Sequence, residues 1–147
     1  FNALKDSMNA AMENIEVQKS KLFKSYKASK EQLLSVTVLA GNVKVSSENK
    51  IAELKAQIQT TLTEIATLNE ENKTLVAAAP KGKGGTSVLM AIKGEIATID
   101  TALAEVSATA ETENFNVTLQ KASAVKEQAL GINTELKSVI EKYNSRK

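Results

Sequence analysis

Apolar residues recur three and four positions apart along most of this chain, with polar residues between them. Two such runs flank a glycine-rich segment. In the first, Ile51, Leu54, Ile58, Thr61, Ile65, Leu68, Asn72 and Leu75 keep the spacing. In the second, Leu89, Ile92, Ile96, Ile99, Leu103 and Val106 do the same. A 3-4 alternation holds one seam on one side of a helix, and a sustained seven-residue repeat is the pattern of supercoiled helices. Pro80, Lys81, Gly82, Lys83, Gly84 and Gly85 interrupt the pattern, so the two seams are expected to fold back on each other.

The flanking segments also read as helices. Phe1, Leu4, Met8, Ala11, Ile15 and Leu22 share a stripe that drifts to Tyr26 and Leu33. Gly41 and Asn42 fit a helix stop, because both tolerate the left-handed conformation of a C-cap. Val36-Thr37-Val38 and Val43-Lys44-Val45 alternate like strands around that stop, which allows a small hairpin there. Ser46 or Ser47 then offers an N-cap with Glu48 near the positive end, and Thr86 or Ser87 offers another beyond the glycines. After Val106 the seam is lost across Ser107–Asn114. It restarts in a new phase with Phe115, Ala122, Val125, Ala129, Ile132, Leu136, Val139 and Tyr143. The lost phase favours a turn near 109–114 over one continuous helix from 86 to 145.

The expected fold is therefore all-α. Helices at about 3–40, 47–79, 86–110 and 114–145, with the loop 80–85, form an elongated up-down-up-down antiparallel four-helix bundle of coiled-coil hairpins. The chain of 147 residues reads as one helical-bundle domain, 1–147. Asn72 falls on the seam, where a polar group sets register at some cost in stability. The helices show few i,i+4 ion pairs, so surface salt bridges look unimportant.

Composition narrows the chemistry. Aromatics are 3% and Trp is absent, which suits thin cores between helices better than deep pockets. The absence of Cys excludes disulfides, thiolate metal sites and a thiol nucleophile. The absence of His removes the commonest general base and metal ligand, and with it the Glu-x-x-His pairs of di-iron bundles. A net charge of +2 is too mild to imply nucleic acid. No run approaches the ~20 apolar residues of a membrane span. The chain begins at Phe1, as expected of a processed product or of part of a longer chain, and no compartment follows from these residues.

Several features look chemical and are better read as structural. The glycine segment has its lysines before the final glycines and follows a helix, the wrong order and context for a phosphate loop. Lys81 and Lys83 remain candidate anion contacts beside free helix N–H groups, but a hairpin tip also needs glycine. Lys19, Lys21, Lys24, Lys27 and Lys30, interleaved with Phe23 and Tyr26, could meet an anionic membrane surface or a nucleic acid. A spacing of three winds around a helix, so a solvated face is the better reading and nucleic acid the least favoured partner. Glu70 and Glu71 point apart on a helix and do not converge as an acid–base pair, and Glu111 and Glu113 sit on a link. Met8, Met12 and Met90 are expected to pack in the core. Asn72-Lys73-Thr74 and Asn116-Val117-Thr118 match the glycosylation acceptor pattern, which chance supplies easily.

The functional expectation is a non-catalytic structural or assembly subunit with no cofactor and no metal. It would pack with copies of itself or with other coiled-coil chains through the seam of Ile51, Leu54, Ile58, Ile65, Leu68, Leu75, Leu89, Ile92, Ile96, Ile99, Leu103 and Val106. A second expectation is an extracytoplasmic sensing bundle of a membrane receptor, which would take a small-molecule ligand. Its architecture resembles that of chemoreceptor sensor domains, although sites for anions usually need Arg and Arg146 stands alone. A third is lipid or nucleic-acid binding through Lys19–Lys30.

Overall fold

A computed structural model describes residues 2–21, 26–80, 85–111 and 114–145. All of its regular structure is α-helical, in four helices: α1 (Asn2–Lys19), α2 (Lys27–Ala78), α3 (Gly85–Thr109) and α4 (Phe115–Asn144). Contacts group the chain into two compact units, Phe1–Ile51 and Ala52–Lys147, and α2 contributes to both.

The turn expected near 109–114 is present: α3 ends at Thr109 and α4 opens at Phe115. Asn114 caps α4, its side-chain oxygen accepting from the Asn116 N–H at 3.1 Å. The expected stop at Gly41 and Asn42 is not. Both lie inside α2, as do the strand-like triplets and the proposed caps Ser46 and Ser47. A glycine in a helix interior costs only ~1 kcal/mol, and packing overrides it. Val36, Leu39 and Val43 straddle Gly41 on one half-buried face, so the helix has a reason to continue. Thr86 and Ser87 likewise fall within the first turn of α3.

The first break falls instead between α1 and α2. The Lys21 N–H closes a last turn on the Gln18 carbonyl at 3.3 Å, and the Ser20 hydroxyl donates to the Val17 carbonyl at 2.8 Å. The Lys30 N–H opens α2 on the Tyr26 carbonyl. Asn14 Nδ2 donates to Gln32 Oε1 at 2.8 Å, joining the two helices of the first unit. Ala11 is buried there, while Leu4 and Ile15 are half-buried.

The second unit holds the main core. On α2 the buried positions are Leu54, Ile58, Leu62, Ile65, Asn69, Asn72 and Val76, with Ala79 just beyond its end. On α3 they are Ile92, Ile96, Ile99 and Val106, with Ala110 just beyond its end, and on α4 Thr118, Ala122, Val125, Ala129, Ile132, Asn133 and Leu136. The 3-4 spacing recurs in all three helices. Partners on α3 fall in reverse order along α2, with Asp100 against Asn69 and Glu111 against Lys55. Partners on α4 fall in the same order, with Lys126 against Glu64 and Asn133 against Asn72.

Threonines are numerous in these helices although β-branching disfavours them. The structure shows how they are accommodated: Thr61, Thr63, Thr67, Thr74, Thr98, Thr101 and Thr134 each donate to the carbonyl four residues earlier. The three methionines depart from expectation. Met8, Met12 and Met90 are all exposed, Met90 because it lies two residues from Ile92 and so on the far side of α3.

Ile65 is fully buried at the centre of the core. Truncation in Ile65→Ala removes its contacts and leaves a cavity, so chemical denaturation should show a loss of ~2–5 kcal/mol. Met90→Ala, at an exposed position, should leave the unfolding midpoint within ~0.5 kcal/mol of the parent.

Candidate functional site

The seam is where the polar and apolar patterns of this chain meet. Asn69 is 1% and Asn72 0% exposed, both on the face of α2 that packs on its neighbours. Asn72 Nδ2 donates to the Ala129 carbonyl of α4 at 2.8 Å, and its Oδ1 accepts from Asn133 Nδ2 at 2.9 Å. Asn69 turns the other way. Its Nδ2 donates to Asp100 Oδ1 of α3 at 2.7 Å and to the Ile96 carbonyl at 3.3 Å, while its Oδ1 is unpartnered. One turn of α2 thus fastens α4 through one amide and α3 through another.

Charged pairs close this layer at its rim. Lys73 reaches Asp100 at 3.0 Å and Glu70 at 2.7 Å, and Lys137 of α4 reaches Glu71 at 2.8 Å. Glu70 and Glu71 serve different partners, as their adjacent positions imply. The Glu71 carboxyl is held below its usual 4.5 by the hydrogen bond from Lys137 and by that cation's charge, with the Asn133 amide adding and burial opposing. Lys73 is held above its usual 10.5 by its hydrogen bonds to Glu70 and then Asp100, against desolvation. Farther along, Lys55 pairs with Glu111 and stands 5.3 Å from the Phe115 ring centroid. Lys126 meets Glu64 at 2.7 Å. Ion pairs therefore matter more than the i,i+4 count suggested, because most of them run between helices.

Of the expected seam, Leu54, Ile58, Ile65, Ile92, Ile96, Ile99 and Val106 are buried, and Leu68, Leu75, Leu89 and Leu103 pack against them at the edge. Ile51 is the exception, 42% exposed at the end of the first unit. These residues are occupied inside one chain. Leu62, Asn69 and Val76 were overlooked, although each lies four residues after a seam position. They form a third column on α2, needed because its face meets two helices rather than one. Thr118 and Asn133 were overlooked on α4, where Val139 and Tyr143 are exposed rather than on the seam.

The basic segment spans the end of one helix and the start of the next. Lys19 ends α1 and pairs with Glu16 at 2.6 Å, which raises its pKa through that hydrogen bond. Lys27 begins α2, Ser20, Lys21 and Tyr26 are non-helical, and Lys24 lies outside the described residues. Lys21, Lys27 and Lys30 are exposed. Lys81 and Lys83, Glu113 and Arg146 also lie outside the described residues. A shallow groove of about 460 Å³ runs between α3 and α4, with Glu95 and Glu135 at its lips over Ile99 and Ile132. Among the described residues no group of acidic side chains is arranged to hold a metal, and no helix is long and apolar enough to cross a membrane.

No protein-family model, no curated protein and no solved structure matches this chain.

Two outcomes test the polar layer. Asn72→Ala takes the Oδ1 acceptor away from Asn133 Nδ2 and should cost ~1–3 kcal/mol in denaturant unfolding. Replacing both partners, Asn72→Leu with Asn133→Leu, should recover most of that loss, since no polar group is then left unpaired. The Glu71 contribution is present above the unfolded value near 4.5 and is lost as pH falls through the lower native value. Lys73 contributes below 10.5 and loses its contribution as pH rises through the higher native value. Thermal melts should therefore show the gap between the parent and Glu71→Gln closing as the solution is acidified below 4.5.

Proposed function

We propose that this chain is a non-catalytic coiled-coil protein, a structural or assembly subunit that associates with copies of itself through its helices. The observation that carries this reading is the imbalance between the two units. In the first, Ala11 is the one apolar side chain buried among the described residues. Met8, Met12, Val17, Leu33, Leu34, Val38 and Val45 of the same unit are exposed. Burying such side chains is worth ~25 cal/mol per Å², and concentrated exposed apolar surface marks an interaction site. Two helices with so thin a core gain stability by associating.

The second unit supports the coiled-coil half of the reading through the 3-4 spacing of its buried positions. It also redirects the assembly. Ile58 and Ile65 hold that unit together, so their replacement by Asp would report on folding rather than on association. We therefore assign association to the exposed apolar side chains of the first unit.

Light scattering coupled to size exclusion, on the full chain across a concentration series, tests the proposal. The mass should rise with concentration to a multiple of the single-chain value. A single-chain mass throughout would overturn it.

A further inference from the structure

Within the first unit α2 carries two apolar stripes on opposite sides. Val36, Leu39 and Val43 form the first and are half-buried. Leu34, Val38 and Val45 form the second and are 57%, 64% and 55% exposed. At 3.6 residues per turn the first stripe spans about 60° of the helix and the second about 40°, and the two are about half a turn apart. Gly41 lies within the second stripe, and a Cβ built there would meet nothing within 4 Å. This face is therefore open and has a low point near its middle.

The charges beside it have a definite arrangement. Lys30 and Glu48 are separated by about five full turns, so they project in the same direction along one edge of the stripe. The point midway between them is residue 39, and the point midway between Leu34 and Val45 falls between residues 39 and 40. The apolar and charge patterns thus share one centre. A two-fold axis through it lays a second helix antiparallel on the first. Lys30 of each copy then meets Glu48 of the other, Leu34 meets Val45, and Val38 settles over Gly41. A parallel pair would instead put this edge of the two copies on opposite sides of the contact, so that Glu48 of one copy would no longer lie beside Lys30 of the other. Within its own chain Glu48 has Lys44 at 3.9 Å, the far end of the ion-pair range, so it retains capacity for a second cation.

We propose that the Leu34–Val45 stripe of α2 is the self-association face and that its occupant is the same stripe of a second copy, lying antiparallel. This rests on the self-assembly reading above and names its interface. Such a contact is isologous and closes at two chains.

Because the chain has no Cys, single introduced thiols report the geometry without background. A mixture of full-length Leu34→Cys and Val45→Cys proteins should form a disulfide-linked heterodimer under mild oxidation. Leu34→Cys alone should not link to itself, since antiparallel copies hold those positions ~16 Å apart, against a reach of ~7 Å. Self-linked Leu34→Cys without the mixed product, or no linkage in either sample, would overturn the proposal. Leu34→Glu with Val38→Glu should keep its helical circular dichroism, as both side chains are exposed, and fall to the single-chain mass. Lys30→Glu should weaken dimerisation about fivefold by turning two attractive exposed pairs repulsive, and adding Glu48→Lys should restore it. An unchanged oligomer in the Leu34→Glu, Val38→Glu protein would sink this face while leaving the assembly reading intact. A single-chain parent would sink both.

Discussion

The face of α2 from Leu54 to Val76 has to serve two neighbours at once, and the second unit is organised around that demand. A helix that meets one partner can do so with two seam residues per heptad. This one meets α3 on one flank and α4 on the other, so it presents three: Ile58 with Thr61 and Leu62, then Ile65 with Leu68 and Asn69, the middle residue of each set half-buried. The division of labour continues into the polar groups. Asn69 is directed to α3 and Asn72 to α4, four bonds to two different helices being impossible from one side chain of this size. Sliding either neighbour by one helical turn would break these bonds and bury the amides against apolar carbon. The amides thus select one alignment among the several that an Ile and Leu seam alone would tolerate.

Much of this was legible in the chain. The heptad spacing of Ile51–Leu75 and Leu89–Val106 identified the helices and most of their buried positions, because burial of an apolar stripe is the dominant local signal. The turn before Phe115 was legible from a change of phase. What failed was punctuation. Gly41 and Asn42 look like a stop only if the residues around them have nothing to pack on, and Val36, Leu39 and Val43 do. The real interruption near Ser20 contains no glycine or proline among its described residues, so no local rule marked it.

The partners across the seam were less legible still. A linear reading of charges compares residues three and four apart, whereas Lys55, Lys126 and Lys137 find carboxylates on other helices. The third column of α2 was hidden for a related reason: whether a helix meets one neighbour or two is a fact of the tertiary arrangement. Methionine misled in the opposite direction. Its hydrophobicity suggested a core role, but the phase of Met8, Met12 and Met90 relative to the covered faces leaves them in solvent.

Asn72 begins the acceptor triplet Asn72-Lys73-Thr74, and it is also the most enclosed amide of the seam. Sugar transfer and folding would compete for the same nitrogen. A glycan attached while the chain is still extended could not be accommodated between α2 and α4, and it would block the bond to the Ala129 carbonyl before that bond could form. Production in a host that glycosylates its secreted proteins would therefore divide the molecules into two populations by the order of events. Those that close the seam first are protected from the modification, and those that do not are barred from closing it.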